Sequence, residues 1–164
     1  MMPKIKKILY ATDLSSNSEY AFRYAINSAE KHDADIIILY VVEERAPFFD
    51  EERLKEISDK KVAEATDLIK KRLKIFYDKR LKDDPQCASK AISIEVCKGY
   101  PPEEILRKAD ELNCDVIVMG THGKGIIRHS FLGSVAQKVL RRVRKPVFII
   151  PLPEGEIDVT FHGV

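Results

Sequence analysis

Along the chain, short apolar runs of strand length alternate with longer segments in which apolar residues recur every three or four positions. Lys7-Ile8-Leu9-Tyr10-Ala11 is the first run and stops at Thr12-Asp13, which predicts a buried strand. Ser16 and Glu19 follow at capping-box spacing, in which each side chain satisfies a free amide at a helix start. Ala21, Phe22, Ala25, Ile26 and Ala29 continue at helical spacing and predict a core-facing stripe. From Asp35 to Val42 the chain reads Asp-Ile-Ile-Ile-Leu-Tyr-Val-Val. Such a run is continuous rather than alternating, as expected of a strand covered on both faces. A loop with Pro47 leads to a helical pattern over about residues 50–80, with Leu54, Ile57, Ala65, Leu68, Ile69, Leu73 and Phe76 on one side. Lys82-Asp83-Asp84-Pro85 ends it, because the residue before a proline avoids helical geometry.

The second half repeats the alternation. Ala91 to Cys97 alternates in polarity and predicts a third strand nearer a sheet edge. Pro101 and Pro102 with Glu103-Glu104 mark a helix start, continued by Ile105, Leu106, Ala109 and Leu112. Cys114 to Gly120 predicts a fourth strand, Ser134 to Arg142 a helix, and Pro146 to Pro151 a fifth strand. A βαβαβαβαβ order implies an α/β fold, an open doubly wound parallel sheet with helices on both faces. In such sheets ligands bind outside the carboxyl ends of the strands, where strand order reverses. Function is therefore sought at Thr12-Asp13, near Val41-Val42, at Gly99-Tyr100, and after Met119. One domain is expected over residues 1–164, with a core at about 4–151 and a tail from 152 to 164.

Composition narrows the class. The 28 Lys and Arg residues nearly balance 26 Asp and Glu, so the net charge of +2 leaves no nucleic-acid footprint at whole-chain level. Apolar content of 45% sets the chain apart from disordered sequences, which combine low hydrophobicity with high net charge. No apolar run approaches the ~18 residues of a membrane span. Residues 1–7 lack the apolar segment of a secretory signal, and a cytoplasmic location is the expectation. Cys87, Cys97 and Cys114 form neither a disulfide framework nor a zinc pattern, and free thiols suit a reducing cytosol. Lys70, Lys71, Arg72, Lys74, Lys79 and Arg80 sit among acidic residues and read as a solvated helix face. Lys138, Arg141, Arg142, Arg144 and Lys145 cluster at a helix C-terminus, where cations complement the dipole.

The segment from Gly120 to Ser134 carries the chemistry. Gly120 and Gly125 have the first spacing of a Walker A loop, but Ile126 stands where lysine is needed. Gly123 and Gly125 begin a GxGxxG fingerprint, but Arg128 takes its last position. The elements of a phosphate site remain. Gly120 and Gly123 permit positive φ and close approach of backbone amides. Gly133-Ser134 opens a helix whose free N–H groups favour an anion. Lys124, Arg128 and His129 could screen phosphate charge. His122 and His129 lack a carboxylate partner and suit phosphate contact or loop filling better than metal binding. No serine has the His/Asp arrangement of an activated nucleophile, so no catalytic residue is assigned.

Gly120, two residues, Gly123, nine residues and Gly133-Ser134 match G-x2-G-x9-G-(S/T). This motif resembles that of the ATP-binding universal stress proteins. Lys6 to Ser15 is similar to that family's first strand and following Asp loop, Leu39 to Val42 to its second strand end, and Lys145 to Ile150 to its last strand. The resemblance spans about residues 4–151 and implies strand order 3-2-1-4-5. It further implies ATP binding by Ala11, Thr12 and Asp13 beside adenosine and by Val41 at adenine. Met119, Gly120, Thr121, His122 and Gly123 would surround the ribose and first phosphates, and Gly133, Ser134, Val135 and Ala136 the distal ones. Mg²⁺ or Mn²⁺ would arrive with the phosphates rather than be held by protein alone, with Asp13 as the candidate contact. The family pairs through its last strand, so a homodimer through about Val147–Ile150 is implied, together with a downstream protein partner. The expected role is a nucleotide-dependent regulatory module in stress response, signalling by the order of residues 121–132. Two other readings stay open: a slow ATPase or phosphotransferase in the same pocket, and an RNA-binding or structural dimer. Asp13 also has a plain reading, as a cap for the helix or loop that follows the first strand.

Overall fold

The alternating pattern is realised as five strands and four helices in a computed structural model that describes residues 1–44, 50–83, 91–121 and 132–151. In chain order these are β1 (Lys7–Thr12), α1 (Ser16–His32), β2 (Asp35–Glu43), α2 (Glu51–Asp83), β3 (Ile92–Gly99), α3 (Pro101–Glu111), β4 (Val116–Gly120), α4 (Ser134–Arg142) and β5 (Val147–Ile150). All neighbouring strands are parallel, and the sheet order is β3-β2-β1-β4-β5. The expected 3-2-1-4-5 sheet is therefore present, with β3 at one edge and β5 at the other.

Period-two alternation along β1 divides the core into two layers. Ile8 and Tyr10 face α1 and α2, packing with Phe22, Ala25, Ile69, Leu73 and Phe76. Leu9 and Ala11 face α3 and α4, packing with Ile105, Ala109, Ala136 and Val139. Residues of β1 and β2 are apolar at successive positions because both faces are covered, and Ile8, Leu9 and Tyr10 are all fully buried. In the first layer the Phe22 ring lies between Tyr10 and Phe76, at centroid distances of 5.3 and 5.2 Å.

Local details depart from the sequence reading at three points. The cap of α1 is Ser15, whose side chain accepts from Ser18 N–H, so Ser16 is the first helical residue. Asp13 causes this shift: its Oδ1 accepts from Ser15 N–H at 3.0 Å and holds Ser15 outside the helix. Glu19 pairs with Arg72 of α2 at 3.2 Å. On α2, Leu68 is 38% exposed, one position away from the buried stripe of Ala65, Ile69, Leu73 and Phe76. Gly120 ends β4 as an extended residue, and the described glycine with left-handed backbone is Gly99, at φ 143°.

Candidate functional site

Strands β1 and β4 are neighbours, while their connections leave to opposite sides of the sheet. The reversal point lies between their carboxyl ends, and a cavity of about 430 Å³ opens there. Ala11, Thr12 and Asp13 line it from β1, Val41 from β2, and Met119, Gly120 and Thr121 from β4. Gly133, Ser134, Val135 and Ala136 close it from the start of α4. Eleven of the thirteen residues to which the resemblance gives a nucleotide contact thus share one cavity. His122, Gly123 and Lys124 lie outside the described residues, as do Arg128 and His129.

The β1 wall is held by a compact hydrogen-bond network. Thr12 Oγ1 lies 2.8 Å from Ser18 Oγ and accepts from Leu14 N–H at 3.0 Å. Tyr10 donates to Ser18 O at 2.5 Å, and burial raises its phenol well above the ordinary range. Leu14 adopts φ 64°, a left-handed conformation that costs an apolar residue roughly 1–2 kcal/mol. Two contacts oppose that cost: the Thr12 hydroxyl at its N–H, and Arg72, which donates to Leu14 O at 3.1 Å. The plain reading of Asp13 is accordingly realised at one carboxylate oxygen, while the residue also lines the cavity. Its charge reaches Tyr40, whose hydroxyl is raised by burial first and then by the Asp13 and Glu43 carboxylates.

The opposite wall is different in kind. Thr121 N–H donates to Ile150 O at 3.0 Å, and Gly133 N–H donates to Thr121 O at 2.6 Å. These bonds bring the end of β4 against the start of α4. Gly133 is the N-cap, with φ −64° and ψ 161°, and no side chain caps the helix. The first intrahelical donor is Gln137 N–H, which reaches Gly133 O at 3.0 Å. The amides of Ser134, Val135 and Ala136 precede it, at the cavity wall. Other helix starts are unlike this one. Ser15 caps α1, Asp50 caps α2 through Arg53 N–H at 2.8 Å, and α3 opens on two prolines that have no N–H. A helix start with free amides and the positive end of its dipole is suited to an anion.

Strand-end reasoning reached Gly99-Tyr100 without assigning either a role, and Tyr100 does line the cavity. It missed Lys138, which also lines the cavity. The available signal was its position four residues after Ser134, on the same helical face. Ser18 and Tyr40 carried no signal beyond their neighbours. Among the described residues no group of three or more His, Cys, Asp or Glu could hold a metal ion. The thiols of Cys97 and Cys114 are both raised, Cys97 to about 11, by burial first. Cys87 lies outside the described residues.

The profile of the universal stress protein family matches residues 4–151. The chain belongs to that family. It is 34% identical over 154 residues to universal stress protein MJ0531 of Methanocaldococcus jannaschii, covering 92% of this chain and 85% of that one. It is 30% identical over 160 residues to universal stress protein MJ0577 of the same organism, covering 88% and 94%. A solved structure of hypothetical protein MJ0577 superposes with a TM-score of 0.70, over 93% of this chain and all of that one. Two further solved members share the fold at lower identity. A universal stress protein in complex with cAMP has a TM-score of 0.57 at 23% identity, covering 90% of this chain and 98% of that one. The universal stress protein of Archaeoglobus fulgidus in complex with dAMP has 0.53 at 22%, covering 91% and 99%. Among the described residues of this family member, no helix is long and apolar enough to cross a membrane.

Proposed function

We propose that this universal stress protein binds ATP in the cavity between β1, β4 and α4. It would act as a nucleotide-dependent regulatory module of the stress response in the cytoplasm, read by a partner protein. The observation that carries this reading is the uncapped start of α4, whose Ser134, Val135 and Ala136 amides face a cavity also lined by apolar Val41 and Met119. A flat, apolar base suits the Val41 side, and a polyanion suits the amide side. Adenine nucleotides are held by the two solved relatives in complex with cAMP and dAMP. Among the described residues, Asp13 and Glu43 are the carboxylates of the cavity wall. Mg²⁺ would therefore be carried chiefly by the phosphates and water, with Asp13 as its contact from the protein. A nucleotide can shift the protein between two states only by its differential affinity for them.

A homodimer through β5 follows from the same reading. Ile117 N–H of β4 and Thr121 N–H just after it donate to Pro146 and Ile150 O, so the even-numbered carbonyls along β5 point inward. The backbone groups of Val147 and Ile149 then point away from β4, where a second β5 can pair with them. Titration calorimetry with ATP, ADP and AMP, with and without Mg²⁺, tests the binding reading. Saturable 1:1 binding that is lost in Gly133→Val, with the fold intact, is expected. Absence of binding by all three nucleotides would overturn it.

A further inference from the structure

Lys138 stands apart from the other cations around the cavity. It lies on the second turn of α4, four residues after Ser134, and is the cation among the described lining residues. Four residues of helix rise about 6 Å, and helical side chains lean toward the N-terminus. A lysine there reaches back over the first-turn amides. Its ammonium has a different neighbour in this structure: it donates to the Tyr100 hydroxyl and lies 5.1 Å from the Tyr100 ring centroid. Tyr100 is fixed at the start of α3 by the left-handed Gly99 before it and by Pro101 after it. A Cβ at Gly99 would come within 2.9 Å of Glu104, so the turn that presents Tyr100 is specific to glycine.

Three of the neighbouring cations pair with carboxylates. Arg142 reaches Glu103 at 3.9 Å, Lys145 reaches Asp110 at 3.5 Å, and Lys108 reaches Glu95 at 3.3 Å. Lys138 meets a neutral phenol, whereas a phosphate offers the ammonium a full opposite charge as well as acceptor oxygens. It also forms part of a second, smaller hollow of about 220 Å³ with Tyr100, Glu103 and Arg142. Its side chain therefore has room on both sides of Tyr100.

We infer that Lys138 is the residue that distinguishes nucleotides by phosphate number, exchanging the Tyr100 hydroxyl for the terminal phosphate of a triphosphate. The inference rests on the nucleotide reading of the cavity and extends it to selectivity. On that reading the single phosphate of AMP lies at the end of β4, short of Lys138, whereas the distal phosphates of a triphosphate reach the start of α4 with charge that its amides alone leave unmatched.

Calorimetry with ATP and AMP on the full chain tests this, comparing the parent with Lys138→Gln, Lys138→Arg and Tyr100→Phe. Lys138 is exposed, so the substitutions leave the core intact. Loss of one exposed charge-assisted contact predicts a five- to tenfold weaker ATP affinity for Lys138→Gln, roughly 1–1.4 kcal/mol. AMP affinity should change by less than about twofold, and Lys138→Arg should retain the preference for ATP. Tyr100→Phe frees the ammonium and should leave ATP affinity equal or tighter. An unchanged ATP-to-AMP ratio in Lys138→Gln overturns the inference while leaving the nucleotide reading standing. So does a Tyr100→Phe variant that reproduces the Lys138→Gln loss, since lysine would then act only through the tyrosine. A parent protein that binds neither nucleotide overturns both.

Discussion

Replacing Gly133 with aspartate sets the stability of the fold against its ligand. The N-cap of α4 has φ −64° and ψ 161°, extended geometry that any residue adopts, and its N–H bond to Thr121 O does not depend on the side chain. An aspartate there accepts from the first-turn amides that are now uncapped. Relative to glycine, a good N-cap contributes a few tenths of a kcal/mol, and a carboxylate at the positive end of the dipole adds about 0.3–1 kcal/mol. A gain of roughly 0.5–1 kcal/mol raises Tm by about 1–4 °C for a domain of this size. The same carboxylate occupies the phosphate donors and repels the phosphates. Two lost bonds to a charged group, at about 1.5–3 kcal/mol each, weaken ATP by at least about a hundredfold. Asparagine at the same position separates the two contributions, because it caps without charge and should weaken ATP less. Differential scanning calorimetry without ligand and titration with ATP give both numbers. An aspartate variant that keeps parental ATP affinity would refute the reasoning, and so would one that is markedly less stable, since the amides would then already be engaged.

Three further outcomes follow from other parts of the molecule. Phe22→Ala removes a fully buried ring held between Tyr10 and Phe76, and should cost about 3–5 kcal/mol in chemical denaturation. Cys97, with its thiol raised from 9.0 to about 11 by burial and then by Glu104, should be alkylated slowly at neutral pH, and Glu104→Gln should speed the reaction. Because the folded thiol holds its proton more tightly than the unfolded one, its stabilising contribution is complete below pH 9.0 and is lost as pH rises toward about 11. Denaturation midpoints at pH 8 and above will show this decline. Val147→Pro deletes an outward N–H at the first residue of β5, where proline is tolerated. It should turn the proposed dimer into a monomer by light scattering while ATP binding persists.

The parts of the fold that could be read in the sequence are those in which burial dictates residue type over several positions. The unbroken apolar run at Ile36–Val42 announces a strand covered on both faces, and Ala21, Phe22, Ala25 and Ala29 announce the buried stripe of α1. Strand order is different in nature: the alternation of elements permits several orders, and 3-2-1-4-5 came from family resemblance. Local capping was misread because Ser15 and Ser16 are equally good caps by type, and only the Asp13 turn chooses between them. Leu68 was misplaced because a 33-residue helix drifts relative to any simple repeat, leaving one position of the apolar set at the boundary. At the site, Asp13, Gly120 and Gly133-Ser134 stand at strand ends and a helix start, where sequence signals are strong. Tyr100 and Lys138 meet only because α3 and α4 pack side by side on one face of the sheet. Nothing in their separation of 38 residues reports that contact.

The central claim is that the start of α4 holds phosphates beside the ends of β1 and β4. A crystal structure grown with excess Mg·ATP tests it most directly. Phosphate oxygens within about 2.7–3.2 Å of the Ser134, Val135 and Ala136 nitrogens, with the base against Val41, are the predicted result. Nucleotide density at another surface, or a cavity filled by the protein's own side chains at saturating ligand, would contradict it.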